Sequence, residues 1–179
     1  MEEDKVVPDV TDFVPPYVLQ VTYGSNNVVD VGMELTPTDV KDPPAVSWDA
    51  DPDTYYTLVM VDPDAPSRDN PTFREVNHWL VGNIRGPNVQ SGDVVTEYLG
   101  SGPPRGTGLH RYILLLYRQD EVLEFDEPRT AKLSRAYRLK FNVRNFAKKY
   151  GLGQPVAGNF FKAQWDEYVD VRNKNVTND

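Results

Sequence analysis

Three stretches of this chain are apolar on both faces of a strand, and that pattern leaves few folds open. Tyr55 to Val61 reads Tyr-Tyr-Thr-Leu-Val-Met-Val, and His78 to Ile84 and Arg111 to Tyr117 are similarly rich in strand-forming residues. A strand with one wet face alternates polar and apolar residues, whereas a strand covered on both sides does not. The three runs therefore predict central, buried strands. The 15 prolines and 12 glycines, many of them clustered, also favour strands and loops over a helical bundle. At 179 residues the chain reads as a single domain, 1–179. A chain of that length buries roughly 70% of the surface its unfolded form exposes.

The flanking elements are weaker. Residues 1–16 are polar and proline-bearing and read as an extended surface arm. Tyr17 to Tyr23 reads as a strand, Gly24 to Asn27 as a turn, Val28 to Leu35 as a second strand and Ala45 to Trp48 as a short one. Val94 to Leu99 is a weaker strand between two of the apolar runs. Asn142 to Tyr150 places Val143, Phe146 and Ala147 on one helical face, and Gly151 suits its C-cap. Val156 to Trp165 reads as a last strand, Asp166 to Val171 as a helix start, and 172–179 as a polar, frayed tail. Asp49-Ala-Asp-Pro-Asp53 spaces acids as a calcium loop does. Thr54 and Met60 stand where that loop needs Gly and Glu, so the segment is an acidic turn.

Net charge is −8, which argues against general nucleic-acid binding. Arg129 to Tyr150 nevertheless holds eight Lys or Arg and no acid. That stretch reads either as a solvated basic helix or as a contact surface for an acidic protein or anionic lipid heads. With no cysteine, neither disulfides nor thiolate metal sites hold the fold. The charged start, Met1-Glu-Glu-Asp-Lys5, lacks the apolar core of a secretory signal, and no apolar run approaches the ~18 residues of a membrane span. The expectation is a cytoplasmic monomer without stable membrane insertion, in which the sequon Asn175-Val-Thr177 goes unused.

Two loops carry the polar chemistry. Asp62-Pro-Asp-Ala-Pro-Ser-Arg68 runs on to His78, and Gly100-Ser-Gly-Pro-Pro-Arg-Gly-Thr-Gly108 runs on to His110. The chain has 2 histidines, and each closes one loop. In an antiparallel meander the strand ending at Val61 runs up, the strand from His78 down, Val94 to Leu99 up, and the strand from His110 down. Asp62, His78, the glycine loop and His110 then share one rim of the sheet. Alternation sends His110 and Tyr112 to one face and Arg111 to the other.

A carboxylate orients a neighbouring imidazole and raises its pKa, so two histidines could offer N–H donors to an anion. Glycines let a ligand approach the backbone, and the prolines stiffen the walls. Asp62 and Asp64 would repel an anion unless the histidines, Arg68 or Arg111 offset their charge. The glycine loop is not a nucleoside-triphosphate loop, because no Gly-Lys-Ser/Thr follows it. Two other readings stay open. One is a hydrolase using His110 or His78 as general base with Asp62 orienting it, although no Ser or Cys stands in a nucleophile elbow. The other is a metal site of two histidines and an Asp, suited to zinc or iron.

With Asp62-Pro-Asp-Ala-Pro-Ser-Arg68 and Gly100 to Arg111 taken together, the sequence resembles the phosphatidylethanolamine-binding protein family, also known as Raf kinase inhibitor proteins. The resemblance extends from about Val21 to Tyr168 and includes Leu35-Thr-Pro-Thr38, Pro155-Val-Ala-Gly158 and Trp165-Asp-Glu-Tyr168. It implies a mainly β fold, with a large antiparallel sheet packed on a smaller one and helices at the periphery. It also implies a non-enzymatic module without a cofactor or metal, whose pocket holds phosphate, phosphoethanolamine or a similar head group. The protein partner it implies is a kinase or a protease. Carried over by position, the pocket contains Asp62, Phe73, His78, Gly100, Gly102, Pro103, Pro104, His110 and Tyr112. Departures stand at Phe73, where a tyrosine is common, and at Val76 and Asn77, where many members have an aromatic and a histidine. The polar segment Val171 to Asn175 also lacks the usual tyrosine.

Overall fold

A computed structural model describes residues 1–179. Its main strands are β5 (Tyr55–Asp62), β6 (Val76–Arg85), β7 (Asp93–Thr96), β8 (His110–Gln119) and β9 (Ala157–Ala163), preceded by β1 (Tyr17–Val18), β2 (Gln20–Tyr23), β3 (Asn27–Val28) and β4 (Ala45–Ser47). Three short helices complete it: α1 (Val6–Asp9), α2 (Val143–Lys149) and α3 (Glu167–Asn175). A six-stranded sheet, in the order β1-β9-β8-β5-β6-β7, packs on a three-stranded sheet, β3-β2-β4. The fold is mainly β, as expected.

The doubly apolar runs are the centre of the large sheet. Along β5, Leu58 and Met60 face the small sheet and pack with Val21, Tyr23 and Leu114, while Val59 and Val61 face the other way. That second face is covered by Val6 and Val10 of the N-terminal segment and by Val143, Phe146 and Ala147 of α2. Two packed layers, one on each face, remove the need for a polar alternation. The side chain of Asn142 caps α2 by accepting the Asn145 N–H at 2.9 Å, and Gly151 follows with a positive φ.

Several expectations need correction. The strands run in the directions expected, but they do not form a simple meander. The last of them, β8, crosses over to pair with β5 on the side away from β6 and β7. Direction rather than neighbour order decides which ends share a rim, so Asp62, His78 and His110 still meet. Tyr17 to Tyr23 is two strands: Tyr17–Val18 joins the large sheet parallel to β9, and Gln20–Tyr23 belongs to the small one. Of the next predicted strand, Val28 to Leu35, only Val28 belongs to a strand of the small sheet; Gly32 with φ +79° turns the chain, and Glu34 makes an isolated bridge to Lys162 of β9. Residues 1–16 are not an extended arm. Val6 and Val10 are fully buried, and the Asp4 carbonyl accepts hydrogen bonds from Arg111 and Arg68. The tail is not frayed either: α3 runs to Asn175, and Thr177 bridges to Ser134.

The basic stretch is a helix only from Val143 onward. Within its irregular part Arg138 is buried, and its guanidinium bonds the carbonyls of Ser134, Asn77, Glu97 and Ala131 at 2.6–3.1 Å. It ties its own loop to β6 and to the end of β7 rather than facing a partner.

Candidate functional site

The shared rim encloses a cavity of about 160 Å³. Of the positions expected there, Asp62, Phe73, His78, Gly102, Pro104, His110 and Tyr112 line it. Gly100 and Pro103 do not. A Cβ on Gly100 would stand 2.7 Å from the Val40 carbonyl oxygen, so glycine is needed for the approach of a neighbouring loop rather than of a ligand. Val76 also lines the cavity. Asn77 instead donates to Thr96 Oγ1 at 3.1 Å.

The wall is aromatic. The Tyr112 ring lies between His110 at 6.4 Å and Phe161 at 5.3 Å, both nearly parallel to it, and meets the edge of His78 at 5.3 Å. Its hydroxyl stands beside Ser101, and burial raises its pKa well above the ordinary value, so it stays a phenol.

Neither histidine offers a free N–H. His78 Nδ1 lies 2.6 Å from the Leu99 carbonyl, which can only accept, so Nδ1 carries the proton. Burial pushes the ring's pKa down to about 3, and the charges of Arg172 and Arg138 act in the same direction. His78 is therefore neutral, with the lone pair on Nε2 free. His110 has both nitrogens engaged, Nδ1 with Asp62 Oδ2 at 2.9 Å and Nε2 with Thr107 Oγ1 at 2.9 Å. The Thr107 hydroxyl donates to the Pro104 carbonyl at 2.7 Å, so Nε2–H must donate to Thr107. One proton is then shared between Nδ1 and Asp62, and either placement leaves the pair without net charge. Burial raises the Asp62 pKa, and the hydrogen bond and charge of His110 oppose that rise without overcoming it. Asp64 is neutralised separately. Burial would raise its carboxyl, but the hydrogen bonds and charge of Arg111 win and lower it. The acids of the first loop are thus offset as an anion site requires.

Asp62, His110 and Thr107 have the connectivity of a nucleophile–base–orienter set. The proton direction runs the wrong way, however, because Thr107 accepts from the imidazole it would have to be activated by. No group of three His, Asp or Glu side chains is placed to hold a metal ion.

The positive charge comes from residues that sequence reasoning missed. Arg172, Arg135 and Arg138 all line the cavity. Arg138 spends its donors on carbonyls. Arg172 gives Nη1 to the Gly100 carbonyl at 2.6 Å and Nε to Asn173 at 3.3 Å, and Nη2 has no protein partner. Gly102 makes this possible, since a Cβ there would lie 2.2 Å from the guanidinium carbon. One signal was available: Arg172 follows buried Val169 by three residues, which puts both on one helical face.

The His78 ring provides a pH test. Its NMR signals should hold neutral positions from pH 8 to pH 5. Because the folded pKa lies below the ordinary 6.5, the histidine contribution to stability is full above that value. It is lost as pH falls toward 3, where only the unfolded chain binds the proton. Burial pushes Glu75 up to about 7, so between its ordinary value and 7 its contribution falls as pH rises and opposes that of His78. A Glu75→Gln background exposes the histidine slope. A ring titrating near 6.5 would show that His78 is not held as described.

The description "Phosphatidylethanolamine-binding protein" is that of the family model matching residues 23–161. The chain belongs to this family. It is 40% identical over 169 residues to "Putative odorant-binding protein A5" of Drosophila melanogaster, covering 94% of this chain and 80% of that one. The solution structure of CG7054 is 50% identical with a TM-score of 0.79, covering 97% of this chain and 99% of the other. Carboxypeptidase Y inhibitor, solved in complex with its cognate proteinase, is 28% identical with a TM-score of 0.78, covering 92% and 93%. A family member from Plasmodium vivax shares the fold at 23% identity and a TM-score of 0.78, covering 92% and 95%. Binding proteins and a protease inhibitor are thus among the relatives. No helix is long and apolar enough to cross a membrane.

Proposed function

We propose that this chain is a non-enzymatic binding module whose rim cavity holds a small phosphate-bearing ligand, a phosphate monoester or phosphoethanolamine head group. The observation that carries this reading is the pairing of two unmet needs in one small space. Arg172 Nη2 is a donor without an acceptor, and His78 Nε2 is an acceptor without a donor. A group with an anionic oxygen and an O–H or ammonium proton satisfies both. A cavity of about 160 Å³ admits such a head group and leaves the rest of a lipid outside. By kinship with the carboxypeptidase Y inhibitor, the loops around the rim would engage a protease as partner, while a kinase partner rests on the family resemblance alone.

The enzyme reading is weaker on chemical grounds. A base with a pKa of about 3 takes up protons poorly at neutral pH, and Thr107 is not activated. Titration of phosphoethanolamine into the protein, followed on the His78 and His110 ring signals, tests the proposal. Saturable shifts are expected with an affinity in the micromolar-to-millimolar range, about −4 to −8 kcal/mol. Unmoved histidine signals would place the ligand elsewhere.

A further inference from the structure

A larger cavity lies at the opposite end of the sandwich. The rim cavity sits where β5 ends at Asp62. The other, about 580 Å³, sits where β5 begins, around Tyr56 and its cross-strand partner Arg118. Residues directly opposite in an antiparallel pair share a face. Arg118 also lies on the same side of β8 as Leu116, which packs in the core between the sheets. The cavity is therefore the open mouth between the two sheets, with Ser47 and Trp48 on the small-sheet side and Val156 and Ala157 on the large-sheet side. Tyr17 and Val18 of the short edge strand β1 stand exposed on its margin.

The lining has unmet donors. Trp48 and Tyr56 pack edge to face at 5.3 Å. The indole N–H of Trp48 is buried with no acceptor. Tyr56 is only 5% exposed, and its hydroxyl accepts the Asp51 N–H at 3.1 Å while its own proton has no acceptor. The Arg118 guanidinium touches only Thr54 Oγ1, at 3.4 Å, and pairs with no carboxylate, Asp49 on the margin included. Three donors beside the apolar Leu116, Val156 and Ala157, with Gln20, Ser47 and Asp49 as the other polar lining, ask for an acceptor oxygen on an apolar body, and the unpaired guanidinium asks for negative charge. The volume lies within the 300–1,000 Å³ range of small-molecule sites.

We infer that this inter-sheet mouth is a second ligand site, taking a small organic carboxylate with an aliphatic or aromatic body. The carboxylate meets Arg118 and the Tyr56 and Trp48 protons, and the body lies along Leu116, Val156 and Ala157. Occupation is independent of the rim cavity at the far end of the strands.

Octanoate is a suitable probe. The Trp48 indole N–H gives a separate NMR signal, identified by its loss in Trp48→Phe. Octanoate should shift that signal saturably, together with the amides of Val156 and Ala157, while the His78 ring signals stay in place. Arg118→Gln, at an exposed position, should keep the melting temperature and weaken octanoate at least tenfold. The same variant should change the binding of neutral 1-octanol less than twofold. An indole signal unmoved at millimolar octanoate overturns the proposal, as does equal octanoate binding by Arg118→Gln. Shifts that follow protein concentration rather than probe concentration also overturn it, since they would mean that a second copy of the chain occupies the mouth.

Discussion

Replacing Arg111 with alanine is expected to lower the unfolding free energy by about 3–5 kcal/mol, the usual loss when one member of a buried ion pair is removed. Arg111 is fully buried. Nε and Nη2 hold the two oxygens of Asp64 at 2.8 and 2.7 Å, and its backbone N–H adds a third bond to Asp64 at 3.0 Å. Nη1 reaches the Asp4 carbonyl and the Asp9 carboxylate, both at 2.8 Å. One side chain thus pins β8, the loop after β5 and the N-terminal segment. Its removal leaves the Asp64 charge in a site with no exposure, answered by Arg74 at 3.4 Å, the charge of Arg68 and the retained backbone N–H at position 111, none of which replaces the paired guanidinium. Urea unfolding gives the measure. The double variant Arg111→Met/Asp64→Leu should recover part of the loss, because it removes the orphaned charge along with the pair. Acid has the same sign. The Asp64 carboxyl is held below its ordinary value, so the stability it contributes is present above about pH 4 and is lost as pH falls through the lowered value. A loss below about 1 kcal/mol in Arg111→Ala would mean that the site relaxes and admits water, against the burial described.

The contrast between Arg111 and Arg172 shows which parts of the molecule could be read from sequence. The central strands were legible because burial on both faces writes itself as an unbroken apolar run, and Leu58 to Val61 serve two cores in alternation. The shared rim was legible because strand direction follows from loop positions. The crossover of β8 was not, since pairing with β5 or with β7 leaves its direction and its apolar pattern unchanged. Two-residue strands such as Tyr17–Val18 were not legible either, because their pairing is decided by β9, far along the chain. Charge was the least legible feature. Arg138 looks in sequence like one more residue of a basic run, yet its donors meet carbonyls of its own loop, of β6 and of the residue after β7. Arg111 was expected to offset the acids of the first loop, and alternation placed it correctly. Arg172 lay in a segment read as a polar tail, which the family resemblance alone implies to be a helix near the pocket, and nothing near it in sequence points to the Gly100 carbonyl.

Arg172 is accordingly where the candidate site is most exposed to test. Arg172→Ala is expected to weaken phosphoethanolamine or phosphate binding roughly 10- to 100-fold, about 1.5–3 kcal/mol, the worth of a hydrogen bond to a charged group. The change should leave the core intact, because the guanidinium lies across the glycine loop rather than within either apolar cluster. Calorimetric titration at two salt concentrations measures it, and a buried pair should lose less affinity to salt than a surface one. Arg172→Lys keeps the charge but not the planar fork, and should fall between the two. A separate variant removes the ambiguity between lost charge and lost geometry. Gly102→Ala retains every charge but places a Cβ 2.2 Å from the Arg172 guanidinium carbon, so the side chain must leave its position. If Arg172 is the anion's partner, Gly102→Ala weakens binding with no change in net charge. Undiminished affinity in Arg172→Ala, with loss in Arg135→Ala, would transfer that role to Arg135. The C-terminal helix would then be a wall of the cavity and not its donor.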